Sequence, residues 1–178
     1  FYFQGFHGTG LNQIIQESGS PKGSLYHYFP QGKEQLAEAA IELSKRRIGA
    51  SIQRYMNEFE EVEAALNAHI LAMADLFDME SGLEEHSFTI MPFGLLAAES
   101  AFMNERLRKA CGDTYKYWES MYYTKLISNG YSDESAVIIS KAVSAMIEGA
   151  VTLSLSQRSN EPLLNISKVI PAILAQYK

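Results

Sequence analysis

Apolar residues recur at three- and four-residue spacing along nearly the whole chain, and sustained alternation is almost absent. That pattern restricts the chain to an all-α fold. Leu11, Ile14, Ile15 and Ser18 form one face of a short helix, which Gly19 can end in a left-handed cap. Ser20 then suits an N-cap and Pro21 the first helical position of a helix over Lys22–Phe29, stopped by Pro30 and Gly32. A long helix follows from Lys33 to about Tyr55, with Leu36, Ala37, Ala40, Ile41, Ser44, Ile48, Ile52 and Tyr55 facing inward. Further helices are expected over Val62–Met79, Phe93–Ala101, Glu105–Ser128, Asp133–Gln157 with Ser132 as N-cap, and Leu163–Tyr177, where Pro171 kinks or divides the last. Ser81–Pro92 reads as a mixed loop. The chain starts at Phe1 rather than Met, and Phe1–Gly5 reads as the tail of a helix that begins before it.

Size and charge narrow the function. With 178 residues, 47 % of them apolar, the chain can bury a real core in one domain, or in a small domain beside a larger one. The longest apolar run, Ile90–Ala98, is too short to cross a bilayer, and no membrane partner is expected. The single cysteine, Cys111, excludes an intrachain disulfide and fits a reducing compartment, so the cytoplasm is the expected location. The net charge of −6 argues against a general nucleic-acid binder. Yet residues 1–55 carry six Lys/Arg against four acids, and the remainder nine against seventeen. A mildly basic head on an acidic body suits a protein that meets a polyanion at one end only.

The segment SGSPKGSLYHYF, Ser18–Phe29, supplies the chemistry. Two short helices joined through Gly-Ser-Pro fit a helix-turn-helix. On the second helix Leu25 and Phe29 share a face and can pack on the first, while Gly23, Ser24 and His27 point away and Tyr26 and Tyr28 lie on the flanks. Small residues let a backbone approach a major groove, an imidazole can reach base edges, and the flanking hydroxyls can reach phosphates. Lys22 and Lys33 bracket the unit. The alternative is that these aromatics are bundle core. Three consecutive aromatic-type residues cannot all point inward from one helix, which favours a surface role.

The segment GFHGTGLNQIIQESGSPKGSLYHYFPQGKEQL strongly resembles the DNA-binding domain of the TetR family of bacterial transcriptional repressors. The residues that carry the resemblance are Thr9-Gly10, Leu11–Glu17, Gly19, Lys22–Tyr26, Tyr28-Phe29 and Lys33. The departure is Pro30-Gln31-Gly32, where the family has a short polar turn. FGLLAAES at Phe93–Ser100 and Trp118-Glu119 resemble the lincomycin-resistance type within that family. The resemblance implies a homodimer with a helix-turn-helix head over residues 1–45, its first helix truncated, and an effector-binding and dimerisation domain over 46–178. It also implies a DNA operator and a small-molecule effector as partners. DNA contacts then fall on Lys22, Gly23, Ser24, Tyr26, His27, Tyr28 and Lys33, with Asn12 near the start of the preceding helix.

The carboxy-terminal part is rich in Met and aromatics. Met73, Phe77, Phe93, Tyr115, Trp118, Tyr122 and Met146, with Glu119 among them, are candidates for a pocket taking planar apolar compounds. Ordinary core is the favoured reading for any single apolar residue among them, and Glu119 can equally be a solvated surface charge. Ala136, Ile139, Val143, Met146, Ile147 and Ala150, and Leu163, Ile166, Ile170 and Ile173, suit a four-helix dimer interface, with burial inside one chain as the alternative.

Catalysis and cofactors find no support. Gly5, Gly8 and Gly10 follow no strand, Gly32-Lys33 lacks the Ser or Thr of a phosphate loop, and His7, His27, His69 and His86 lack metal-pair spacing. No cofactor, metal or catalytic residue is expected. The rival class is a helical enzyme or small-molecule-binding protein whose amino-terminal unit is only structural.

Overall fold

The computed structural model describes residue 1, residues 4–77 and residues 93–178. Among these every regular element is a helix: α1 (Gly5–Gly8), α2 (Leu11–Ser18), α3 (Lys22–Tyr28), α4 (Lys33–Glu58), α5 (Val62–Asp75), α6 (Phe93–Met103), α7 (Glu105–Ser128), α8 (Asp133–Gln157) and α9 (Glu161–Gln176). The loop expected over Ser81–Pro92, and the end of the helix expected to reach Met79, lie outside the described residues.

The local chemistry explains most boundaries. Gly19 ends α2 at φ 63, a left-handed conformation that costs glycine nothing. Ser132 caps α8, its hydroxyl accepting from the Ser135 N–H at 3.1 Å. Three expectations are corrected. Ser20 does not cap α3; Pro21 is the N-cap, and the Ser20 N–H turns back to Ser18 Oγ at 3.3 Å. Ser18 does not join the inner face of α2; it is exposed and its hydroxyl donates to the Ile15 carbonyl. Pro171 does not divide α9, which runs unbroken past it from its own start at Glu161. The helical tail expected over Phe1–Gly5 includes residues 2 and 3, which lie outside the described residues; Gly5 opens α1 at φ 69, and its N–H donates to the Phe1 carbonyl at 2.9 Å.

The chain forms two compact units. The first combines Phe1–Arg46 with Pro92–Thr114, the second Arg47–Met91 with Tyr115–Lys178. Nothing in the local pattern groups the second stretch with the amino-terminal one. In the first unit α1 packs on α6, and Phe6, Leu25, Ala37, Ile41, Phe93, Leu96 and Leu107 are buried. In the second, α9 packs on α5 and α8 around Leu66, Ile70, Leu126, Ile139, Val143, Leu163 and Ile170. Helix α8 is long and apolar enough by composition to span a membrane. One of its faces, along Ala136, Ile139, Val143, Ile147 and Ala150, is buried in this core.

Candidate nucleic-acid interface

Helix α3 is short because Pro21 fixes its start and the Phe29 N–H closes it on the Leu25 carbonyl at 2.8 Å. Seven residues cannot hold a helix alone. Leu25, 7 % exposed, anchors it, and Phe29 is half-buried. The opposite surface is open. Tyr26 is 44 % and Tyr28 71 % exposed, and Lys22, Gly23 and His27 are exposed beside them, with Ser24 half-buried. The His27 and Tyr28 rings meet edge to face with centroids 5.1 Å apart, which orders two large side chains on the surface. Lys22 Nζ lies 6.0 Å from the centre of the Tyr26 ring. Asn12 is exposed on the first turn of α2. Lys33, at the start of α4, is half-buried, and its ammonium rests 4.3 Å from the centre of the Phe6 ring.

The turn between α3 and α4 is tightly held. Gly32 adopts φ 73 and its N–H donates to the Phe29 carbonyl at 2.8 Å. The Gln31 N–H donates to Gln35 Oε1 at 3.0 Å. Arg106 of α7 reaches this turn from far along the chain. Its Nη1 donates to Gln31 Oε1 at 2.5 Å and its Nη2 to Glu38 Oε2 at 2.5 Å, while Nε pairs with Glu38 Oε1. Likewise Glu99 of α6 accepts the Phe6 N–H at 2.6 Å. A Cβ on Gly5 would stand 2.2 Å from Glu99 Oε1, so that approach needs glycine. Sequence reasoning missed Arg106 and Glu99, whose partners lie 75 and 93 positions away.

These residues fit known proteins. Residues 1–40 match the model described as bacterial regulatory proteins, tetR family, and residues 62–169 match the LmrA/YxaF-like transcriptional regulator C-terminal domain. The chain belongs to the TetR family of transcriptional regulators. It is 44 % identical to the HTH-type transcriptional regulator LmrA of Bacillus subtilis over 98 % of this chain and 90 % of that protein. It is 40 % identical to YxaF of the same organism, over 98 % and 88 %. The crystal structure of reduced NemR from E. coli superposes with a TM-score of 0.80 at 22 % identity, over 95 % of this chain and 88 % of that one, a likeness of fold. TetR-family regulators bind DNA, and the exposed surface of α3 lies in the part of the chain that matches the family's amino-terminal model.

The pocket candidates separate. Tyr115, Trp118, Glu119 and Tyr122 share α7; Trp118 is 4 % exposed and meets Tyr115 edge to face, centroids 5.6 Å apart. His69 of α5 brings its ring to 6.0 Å from Tyr122 and 5.7 Å from Tyr55 of α4. Met73 is half-buried and Phe77 buried in the same unit. Phe93 belongs to the first unit, buried in its core. Met146 lines a groove of about 480 Å³ between α8 and α9, with Gly149, Leu153, Pro162 and Ile166. A second groove in this unit, about 540 Å³, is lined by Gln53, Met56 and Asn57 of α4 and by Tyr117, Thr124 and Lys125 of α7, among others.

Proposed function

We propose that this TetR-family protein is a repressor that binds a palindromic operator as a homodimer in the cytoplasm, and that a small aromatic or apolar effector releases it. It acts by binding and not by catalysis. The observation that carries the reading is the division of α3, with Leu25 buried and Tyr26, His27 and Tyr28 facing outward. In this reading His27, with Gly23 and Ser24, meets base edges, and Lys22, Tyr26, Tyr28, Lys33 and Asn12 meet phosphates. Residues 1–45 form the reading head, and 46–178 carry the effector site around Tyr115, Trp118, Glu119 and Tyr122, together with the dimer surface.

Apolar side chains left open on the last two helices support the dimer: Ile138, Leu153 and Leu155 on α8 and Val169 on α9. Ala142, Ala145 and Gly149 lie between them on α8, and small residues permit close helix approach. The two reading helices then need a separation of about 34–36 Å, or a multiple, to enter successive major grooves. An effector that tilts α4 changes that separation and lowers affinity without touching a base contact, and by linkage operator and effector oppose each other.

A gel shift with the DNA upstream of the protein's own gene tests the proposal. Retention of that duplex against excess unrelated DNA is expected. Failure to retain any duplex at low salt, with turnover or ligand binding present, would favour the rival helical enzyme or binding protein.

A further inference from the structure

An isolated ion pair at a surface contributes little. The contact of Arg106 differs in three respects. It is bidentate on one carboxylate, it adds a third bond to an amide, and the Glu38 side chain is only 25 % exposed. Both partners stand on fixed backbone. Leu107, beside Arg106, is fully buried, and the Leu107 N–H is capped by Asn104 Oδ1 at 3.0 Å. Ala37, beside Glu38, is fully buried as well. The planar guanidinium therefore presents Nη1 in a set direction, and Gln31 receives it.

Gln31 lies three residues after Tyr28 and two before Lys33, inside the Pro30-Gln31-Gly32 turn where this chain departs from the family pattern. Its backbone is tied to Gln35 and its side chain to Arg106. We propose that Arg106 is a positioning residue for operator binding: anchored on Glu38, it holds Gln31 and with it the turn that aims α3. The inference rests on the reading of α3 as the DNA-reading helix. Arg106 does not itself serve as a phosphate contact, because three of its nitrogens already face Glu38 and Gln31.

The test uses a labelled duplex that the wild-type protein selects from a random-sequence pool, titrated from about 50 to 200 mM salt. Arg106→Ala weakens binding about tenfold with the salt slope unchanged. Glu38→Ala also weakens binding, although it removes a negative charge from the head. Arg106→Glu loses more, and adding Glu38→Arg restores most of that loss with the net charge kept. A direct phosphate contact gives the opposite set: Arg106→Ala lowers the slope by about one unit, Glu38→Ala binds as tightly or tighter, and the swap restores nothing. Any of these three results overturns the proposal, as does unchanged binding by Arg106→Ala. Lys22→Ala in the same assay tests the reading of α3 separately. If it binds like wild type at every salt concentration, the reading helix is misassigned, whatever the Arg106 variants do.

Discussion

In the interior of the second unit Tyr122 Oη lies 3.3 Å from His69 Nδ1. Both residues are buried, and burial is the leading influence on each. It lowers the His69 pKa from 6.5 to about 4, with Arg54 acting in the same direction. It raises that of Tyr122, with Glu148 acting alongside. Both groups are therefore neutral at pH 7, and either imidazole tautomer allows one hydrogen bond between them.

A pH dependence of stability follows. Between pH 6.5 and about 4 the unfolded chain holds a proton on His69 that the folded chain does not. Stability is thus fully present above pH 6.5 and is lost as pH falls toward 4. The loss is about 3 kcal/mol over that window, as an order of magnitude. Urea unfolding of wild type and His69→Gln at pH 7 and pH 4.5 measures it. The wild type should lose more stability than the variant between the two pH values; equal losses would show that His69 is protonated in the folded protein.

Leu153 is 50 % exposed on α8 and lines the groove against α9. In a dimer built on these helices, Leu153→Glu places two like charges in an apolar seam. The variant should sediment as a monomer at micromolar concentration and keep its helical circular dichroism. It should also lose specific binding to a palindromic duplex, since one head reads one half-site. A dimeric Leu153→Glu would place the interface on another surface.

Lys22 and Tyr26 separate charge from geometry on α3. Lys22→Ala should weaken binding and flatten the dependence of log affinity on log salt by about one unit. Tyr26→Phe removes only a hydroxyl, so binding should weaken across sequences with no change in slope. Neither change touches the buried anchor Leu25, and the thermal midpoint should stay close to that of the wild type.

Helices α2 and α3 were legible because their punctuation is local. Gly19, Pro21, Pro30 and Gly32 bound two segments, and the spacing of Leu25 and Phe29 sets which side of α3 is covered. The pairing of residues 92–114 with the head was not legible, because Glu99–Phe6 and Arg106–Gln31 join positions far apart in the chain. For the same reason the sequence grouped Phe93 with Trp118, and the two fall in different units. Periodicity reports that a side chain turns inward and says nothing about which core receives it. Ser20 missed its cap because proline can occupy the N-cap as well as the first helical position, and Ser18 instead draws the Ser20 N–H back to itself.

Gly19 isolates the cost of the turn itself. It ends α2 at φ 63, and its N–H donates to the Gln16 carbonyl at 3.4 Å. A Cβ there would meet no atom within 4 Å, so alanine brings no clash with other elements. What remains is the penalty of a left-handed residue carrying a side chain, about 1 kcal/mol, partly offset by the lower entropy of the unfolded chain. Gly19→Ala should therefore lower stability by about 1 kcal/mol in urea titration. Asn at the same position tolerates the left-handed conformation better and should recover part of the loss. Because the turn also sets α3 against α2, Gly19→Ala should weaken DNA binding more than its small effect on stability implies. Affinity measured well below the thermal midpoint, where the variant is fully folded, makes that comparison; binding equal to wild type there would mean that the α2–α3 angle survives without the left-handed cap.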